Sequence, residues 1–131
     1  MNKINTTIAW VFQILMGSLY IIESFGKVTS DPMVIQAFDD WGYPYGFYMI
    51  IGIIELVCGL LLLGPKTAGY ACIVLFCVMI AASATHIVHE EGLIVLRPLG
   101  YAVGLSIVFY FRFIEDLKND DKEFFPLNHA S

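Results

Sequence analysis

Charge is what this chain has little of. Only 15% of its 131 residues are Asp, Glu, Lys or Arg, while 58% are hydrophobic, and the mean hydropathy is +0.73. Soluble domains carry about 25% charged residues, so a soluble globular fold is excluded. No basic run or aromatic-basic stretch exists, which excludes nucleic acid as a partner. The formal net charge of -5 lies in loops and tail and names no partner. Cysteine is scarce too: Cys58, Cys72 and Cys77 all sit in apolar stretches without CxxC spacing, so neither a disulfide framework nor a metal knuckle is implied. They read as packing residues. Period-two alternation is missing, which removes a β-barrel, and no flavin or haem motif, internal repeat or low-complexity segment is present. Only Lys3 precedes the first apolar stretch, which is long and lacks a small-residue cleavage site; a retained helix is expected there, not a signal peptide.

What is present is four long apolar segments, at about 8–25, 47–64, 68–88 and 93–114, the last starting at either Leu93 or Pro98. Each is near the length a helix needs to cross a hydrocarbon core of about 30 Å. The expected fold is therefore an all-α, single-domain membrane protein, an up-down bundle of four transmembrane helices. Gly64-Pro65-Lys66-Thr67 is a short, sharp turn that makes the second and third spans antiparallel neighbours. Lys3, Lys66, Arg112, Lys118 and Lys122 fall on one side of such a bundle, and Lys27 and Arg97 on the other. By the positive-inside rule both termini are expected in the cytoplasm, with the protein in the plasma (inner) membrane. Residues 115–131 read as a solvated cytoplasmic tail of mixed charge in which His129 is incidental.

The first external loop carries a helix signal. Ser30 and Asp31 precede Pro32, the order expected of an N-cap and first helical position. Met33, Val34, Ala37, Phe38 and Trp41 then recur at helical spacing opposite Gln36, Asp39 and Asp40, so a short interfacial helix is expected, placed to lid the bundle. Gly42-Tyr43-Pro44 ends it, and Trp41, Tyr43, Tyr45 and Tyr48 suit the water–lipid boundary.

The ionisable residues gather toward that same side. Glu55 lies nine residues past Gly46, about 13 Å below the boundary at 1.5 Å per residue. An acid at such depth costs on the order of 2.5 to 3.5 kcal/mol, so it is expected to face the bundle interior and be paired, hydrated or protonated. Two roles are open for it, a ligand-site acid or a structural hydrogen bond between helices. Glu23 and Lys27 are four apart, in the order that favours a helical ion pair. His86, His89 and Glu90 stand at i, i+3 and i+4, and Arg97 comes in from the fourth span. Together they predict an outward-opening polar cavity, with Lys27, Glu55 and His86 in one pocket and Arg97 at its rim. The depth difference requires the lysine stem to reach inward or water to bridge, and a water-filled vestibule is the expected solution. Metal is not expected: His86-x-x-His89 is not the Glu-x-x-His pair of di-iron bundles.

Small residues mark close helix packing: Gly52 and Gly59 in the second span, Ala81-Ala82-Ser83-Ala84 in the third, Gly100-x-x-x-Gly104 in the fourth. They serve either contacts inside the bundle or a homo-oligomer.

Gly26-Lys27 at the end of the first span, Gly42-Tyr43-Pro44 before the second, Glu55-x-x-x-Gly59 within it and Ala82-x-x-x-His86 ending the third resemble, in order and placement, the DoxX-like family over residues 8 to 112. The resemblance implies a small four-helix membrane protein; some members are linked to quinone-dependent sulfur oxidation and others to resistance to quinones or oxidative stress. It carries over Lys27, Glu55 and His86, while Glu23, His89, Glu90 and Arg97 come from spacing alone. Two functions follow. In one, the pocket holds a quinone or a similar lipophilic carbonyl compound, and the chain is an accessory or subunit of a quinone-linked oxidoreductase served by a soluble or membrane redox partner. In the other, the bundle is a non-enzymatic assembly partner or a carrier of a lipid-like ligand.

Overall fold

The computed structural model describes residues 3–114 and 117–118, and the charged tail otherwise lies outside the described residues. Five α-helices follow in order: α1 (Lys3–Val28), α2 (Pro32–Asp40), α3 (Phe47–Leu62), α4 (Ala68–Val88) and α5 (Leu96–Phe109). A 3-10 turn at Gly92–Val95 leads into α5, and a π turn at Tyr110–Ile114 continues it. Lys3–Val28, Ala68–Val88 and Gly92–Ile114 are long and apolar enough to cross a membrane, and α3 is a shorter apolar helix. The four long elements form the up-down bundle, and α2 lies across one end of it.

Element ends depart from the expected ones for local reasons. The first helix extends past both its apolar limits, its N-terminal turn carrying a Thr7 Oγ1 to Lys3 O hydrogen bond of 2.8 Å. The second stops at Leu62, because Thr67 Oγ1 donates to Leu61 O at 2.6 Å and folds the Gly64–Thr67 turn back on the helix end. Its 16 residues span about 24 Å, short of a full hydrocarbon core. Pro98 is neither the first helical residue nor a kink: it is the third residue of α5, within the turn whose N–H groups have no partner inside the helix.

At the α2 end, three helices stop in the same way. After α1, α2 and α4 the chain takes a left-handed residue, Ser30 (φ 57), Gly42 (φ 83) and Glu90 (φ 54) respectively. Each time the next residue's N–H returns to a carbonyl five residues back: Asp31 to Gly26 at 2.9 Å, Tyr43 to Phe38 at 3.1 Å, Glu91 to His86 at 3.0 Å. This double-backed ending satisfies carbonyls that the helix leaves orphaned. It also turns each following segment sharply over the bundle. Helix α2 starts where predicted, with the Asp31 side chain accepting from Met33 N–H at 2.8 Å and Pro32 leading the helix.

Helices α1 and α3 approach closely through glycine. A methyl on Gly59 would come within 3.3 Å of Gly17 O, and one on Gly52 within 2.6 Å of the Lys27 Cβ. The Gly100-x-x-x-Gly104 pair divides: Gly104 sits under Met16, whereas a methyl on Gly100 would meet nothing within 4 Å. Gly52, Gly59 and Gly104 thus serve packing inside the bundle.

The solid core lies toward the end opposite α2, where Met16, Leu62, Leu75, Leu105 and Val108 interlock. Buried among them, Gln13 donates through Nε2 to Leu62 O at 2.9 Å, capping an orphan carbonyl at the end of α3. Arg112 is 8% exposed; its Nε donates to Gln13 Oε1 and its guanidinium lies 5.0 Å from the Trp10 ring centroid. Arg112, expected among the basic residues at the cytoplasmic end of the last span, is buried there because the π turn swings it back under the bundle. Around the outside, Ile14, Ile22, Ile53, Val57, Ile80 and Val103 are exposed, the apolar face that helices offer to lipid tails.

Candidate ligand-binding cavity

The α2 end is hollow. A cavity of about 520 Å³ lies between the helices there, within the size range of small-molecule sites. Every helix contributes to its wall: Tyr20, Glu23 and Lys27 from α1, Phe38 from α2, Phe47, Ile51 and Glu55 from α3, residues from Cys77 to His86 on α4, and Arg97, Pro98 and Tyr101 from α5. Most of these walls are apolar or aromatic, and the polar groups are few.

Lys27 and Glu55 meet directly. The Nζ of Lys27 donates to Glu55 Oε2 at 2.9 Å, and both side chains are largely buried. Close approach at Gly52 makes this possible: with no side chain there, the lysine stem lies along α3 and reaches down to the carboxylate. The extended stem is the route taken between these two groups, where a water-filled vestibule was expected. Burial of a charged pair is tolerable because each partner satisfies the other, and the ammonium keeps further donor capacity toward the cavity.

The helical Glu23–Lys27 pair expected from spacing does not form. Glu23 pairs instead with Arg97 across the α1–α5 seam, with Tyr101 OH donating to the same carboxylate at 3.4 Å. Lys27 is drawn away because Glu55 is the more buried acid and has the stronger need of a partner. Arg97, mostly exposed, stands at the cavity edge.

His86 lines the cavity, whereas His89 and Glu90 are exposed and outside its wall. The i+3 and i+4 register fails because α4 ends at Val88 and Glu90 turns left-handed. That reversal delivers a residue that spacing missed, Glu91. Its Oε2 accepts from His86 Nδ1 at 2.6 Å and its Oε1 from the Trp41 indole N–H. The Trp41 and His86 rings meet edge-on at 5.4 Å. Hydrogen bonds from Trp41 first and His86 second hold the Glu91 carboxyl below the usual carboxylate range. With Nδ1 donating, Nε2 of a neutral His86 is an acceptor, and of a charged one a donor. A further bond joins Tyr43 OH to Thr85 Oγ1 at 2.5 Å, so α2 and its C-terminal turn are fastened to the end of α4 at two places. No sequence signal announces Glu91, since a left-handed non-glycine residue cannot be read from residue types.

Tyr20 was missed as well. It is 1% exposed, lines the cavity, meets the Tyr101 ring at a tilt with centroids 5.1 Å apart, and its hydroxyl has no hydrogen-bond partner among the described residues. A buried hydroxyl without a partner is costly. No group of three or more His, Cys, Asp or Glu suited to a metal occurs among the described residues.

A transmembrane four-helix bundle with a lidded, largely apolar cavity is the class that fold and site define. A sequence profile of the DoxX-like family matches residues 11–109, and the chain belongs to that family of integral membrane proteins. No curated protein and no solved structure matches it.

Proposed function

We propose that the cavity binds a flat, lipophilic carbonyl compound of the quinone type, in a redox-linked or stress-protective role at the plasma (inner) membrane. The supporting observation is the cavity's composition: aromatic and aliphatic walls around the Lys27–Glu55 pair, with the unpartnered Tyr20 hydroxyl beside them. A planar ring takes the walls, and its oxygens take donors from Lys27, Tyr20 and, when charged, His86. Glu55 exchanges the proton that the lysine ammonium presents. Electrons for any reduction come from a soluble or membrane partner.

Extraction tests the reading directly. Protein purified in detergent is denatured and its bound small molecules analysed by mass spectrometry, alongside titration with decyl-benzoquinone. A co-purifying quinone, lost in Glu55→Leu at unchanged membrane abundance, is the expected result. Reduced abundance with binding intact in the remaining protein would make Glu55 structural. Recovery of a phospholipid in place of a quinone would favour the carrier reading.

For orientation, the basic bias supports both termini on the cytoplasmic side. An impermeant thiol reagent applied outside cells should label a cysteine placed at Gln36 and miss one placed at Asn119, and the reverse pattern would invert the topology.

A further inference from the structure

Two ridges face each other across the α3–α4 seam. Phe47, Ile51 and Glu55 stand at i, i+4 and i+8 on one helix, and Cys77, Ala81 and Thr85 stand likewise on the other; all six line the cavity. Thr85, at the α2 end of its ridge, is bonded to Tyr43 next to the start of α3, so the head of this cleft is shut. Farther down, Ile51, Ala81 and Cys77 give apolar walls, with the Lys27-paired Glu55 at the foot of the α3 ridge. Cys77 and Ala81 line the cavity and are exposed, and beside them on α4 Phe76 and Ile80 are exposed outside its wall, so the cavity there adjoins the lipid-facing surface of the protein. Cys77 lies about 16 Å along α4 from Val88, near mid-depth of the bilayer.

The α1–α5 seam and the lid carry polar or aromatic contacts. The Glu23–Arg97 pair and the Tyr20–Tyr101 rings bridge α1 and α5. Trp41, held to Glu91, lies with Phe38 over the top. An apolar molecule crossing the α3–α4 cleft leaves no polar group desolvated behind it, whereas the aqueous route requires undoing hydrogen bonds of the lid.

Resting on the binding reading above, we infer that the ligand reaches the cavity sideways from the bilayer through the α3–α4 cleft, and that it carries an apolar tail. Its carbonyl head lies against Lys27, Glu55 and Tyr20, and the tail runs out between Ile51 and Ala81 into lipid. The sequence supplies the reporter for a test. Trp41 lines the cavity and the only other tryptophan, Trp10, lies at the opposite end under Arg112, so a Trp10→Phe background isolates the cavity signal.

In phosphatidylcholine vesicles, decyl-benzoquinone dissolved in the lipid should quench Trp41 saturably, and a benzoquinone sulfonate added to the water should not displace it. Ala81→Phe, which fills the cleft, should raise the half-saturating mole fraction about ten-fold. Ile53→Phe adds the same ring to an exposed α3 position outside the cavity wall and should leave it unchanged. Two results would overturn the lateral route while leaving the binding site in place: equal saturation in Ala81→Phe and background, or displacement by the sulfonate at comparable concentration. Absence of saturable quenching by any quinone in the background protein would overturn the binding reading itself.

Discussion

The two ends of this bundle bury charge in different surroundings. At the end holding the α3–α4 turn, Arg112 bonds the Gln13 amide and lies over an indole ring, beside the buried apolar core. At the α2 end, Lys27 is paired with Glu55 beside about 520 Å³ of space. Both arrangements look alike in a list of intramembrane polar residues. What separates them is volume: a polar group sealed in a solid core ties helices together, and one at the edge of a void can exchange partners.

Breaking each arrangement should therefore fail differently. The largest effect is expected at the pair. Lys27→Met leaves a buried acid without its cation and should cost about 3–5 kcal/mol, read as loss of thermal stability in detergent. The double variant Lys27→Met/Glu55→Leu should recover most of that loss, because no unpaired charge remains, while ligand binding stays abolished in both. If the double variant were as unstable as the single, the pair would be acting through packing of the lysine stem and not through charge.

At the solid end the order of effects reverses. Gln13→Leu removes the donor to Leu62 O and the acceptor for Arg112, and should cost about 1–3 kcal/mol in the same assay. Binding at the distant cavity should persist in the protein that remains folded. A matching loss of binding would mean that the two ends are coupled and that the contrast between them is only geometric.

How much of this was legible beforehand depends on whether a residue's partner lies on its own helix. The four spans, the capped helix in the first loop and the inward-facing Glu55 follow from hydropathy, the Ser30-Asp31-Pro32 order and the cost of a charge in lipid. Those are local or one-body arguments. Lys27 meeting Glu55 depended on the absence of a side chain at Gly52, and Glu23 choosing Arg97 over Lys27 depended on which acid was buried deeper. Both are competitions between helices that spacing on one helix cannot rank. His89 and Glu90 misled because a 3.6-residue repeat was continued past the true end of α4. Glu91 was invisible for the same reason, and the burial of Arg112 was not legible because a π turn leaves no mark in residue types.

The smallest effect sharpens the contrast from within the hollow end, where the lid is held by a carboxylate outside the membrane-spanning segments. Glu91 accepts from both Trp41 and His86, with His89 nearby, and its carboxyl is held below the usual range. A depressed pKa in the folded protein means that the stabilisation is fully present above the ordinary value, about 4.3 for glutamate, and is lost as pH falls through the lower folded value. Neutral pH therefore keeps the lid fastened, and acid below about pH 4 should loosen it. Amide hydrogen exchange over residues 32–41, corrected for the intrinsic pH dependence of exchange, should quicken in that window and stay constant above it. Since Asp31, Asp39 and Asp40 lie on the same segment, Glu91→Gln is the control: it should raise exchange at neutral pH and remove most of the acid step. An acid step that survives Glu91→Gln would assign the loosening to the α2 aspartates and leave the lid fastened chiefly by Tyr43 and Thr85.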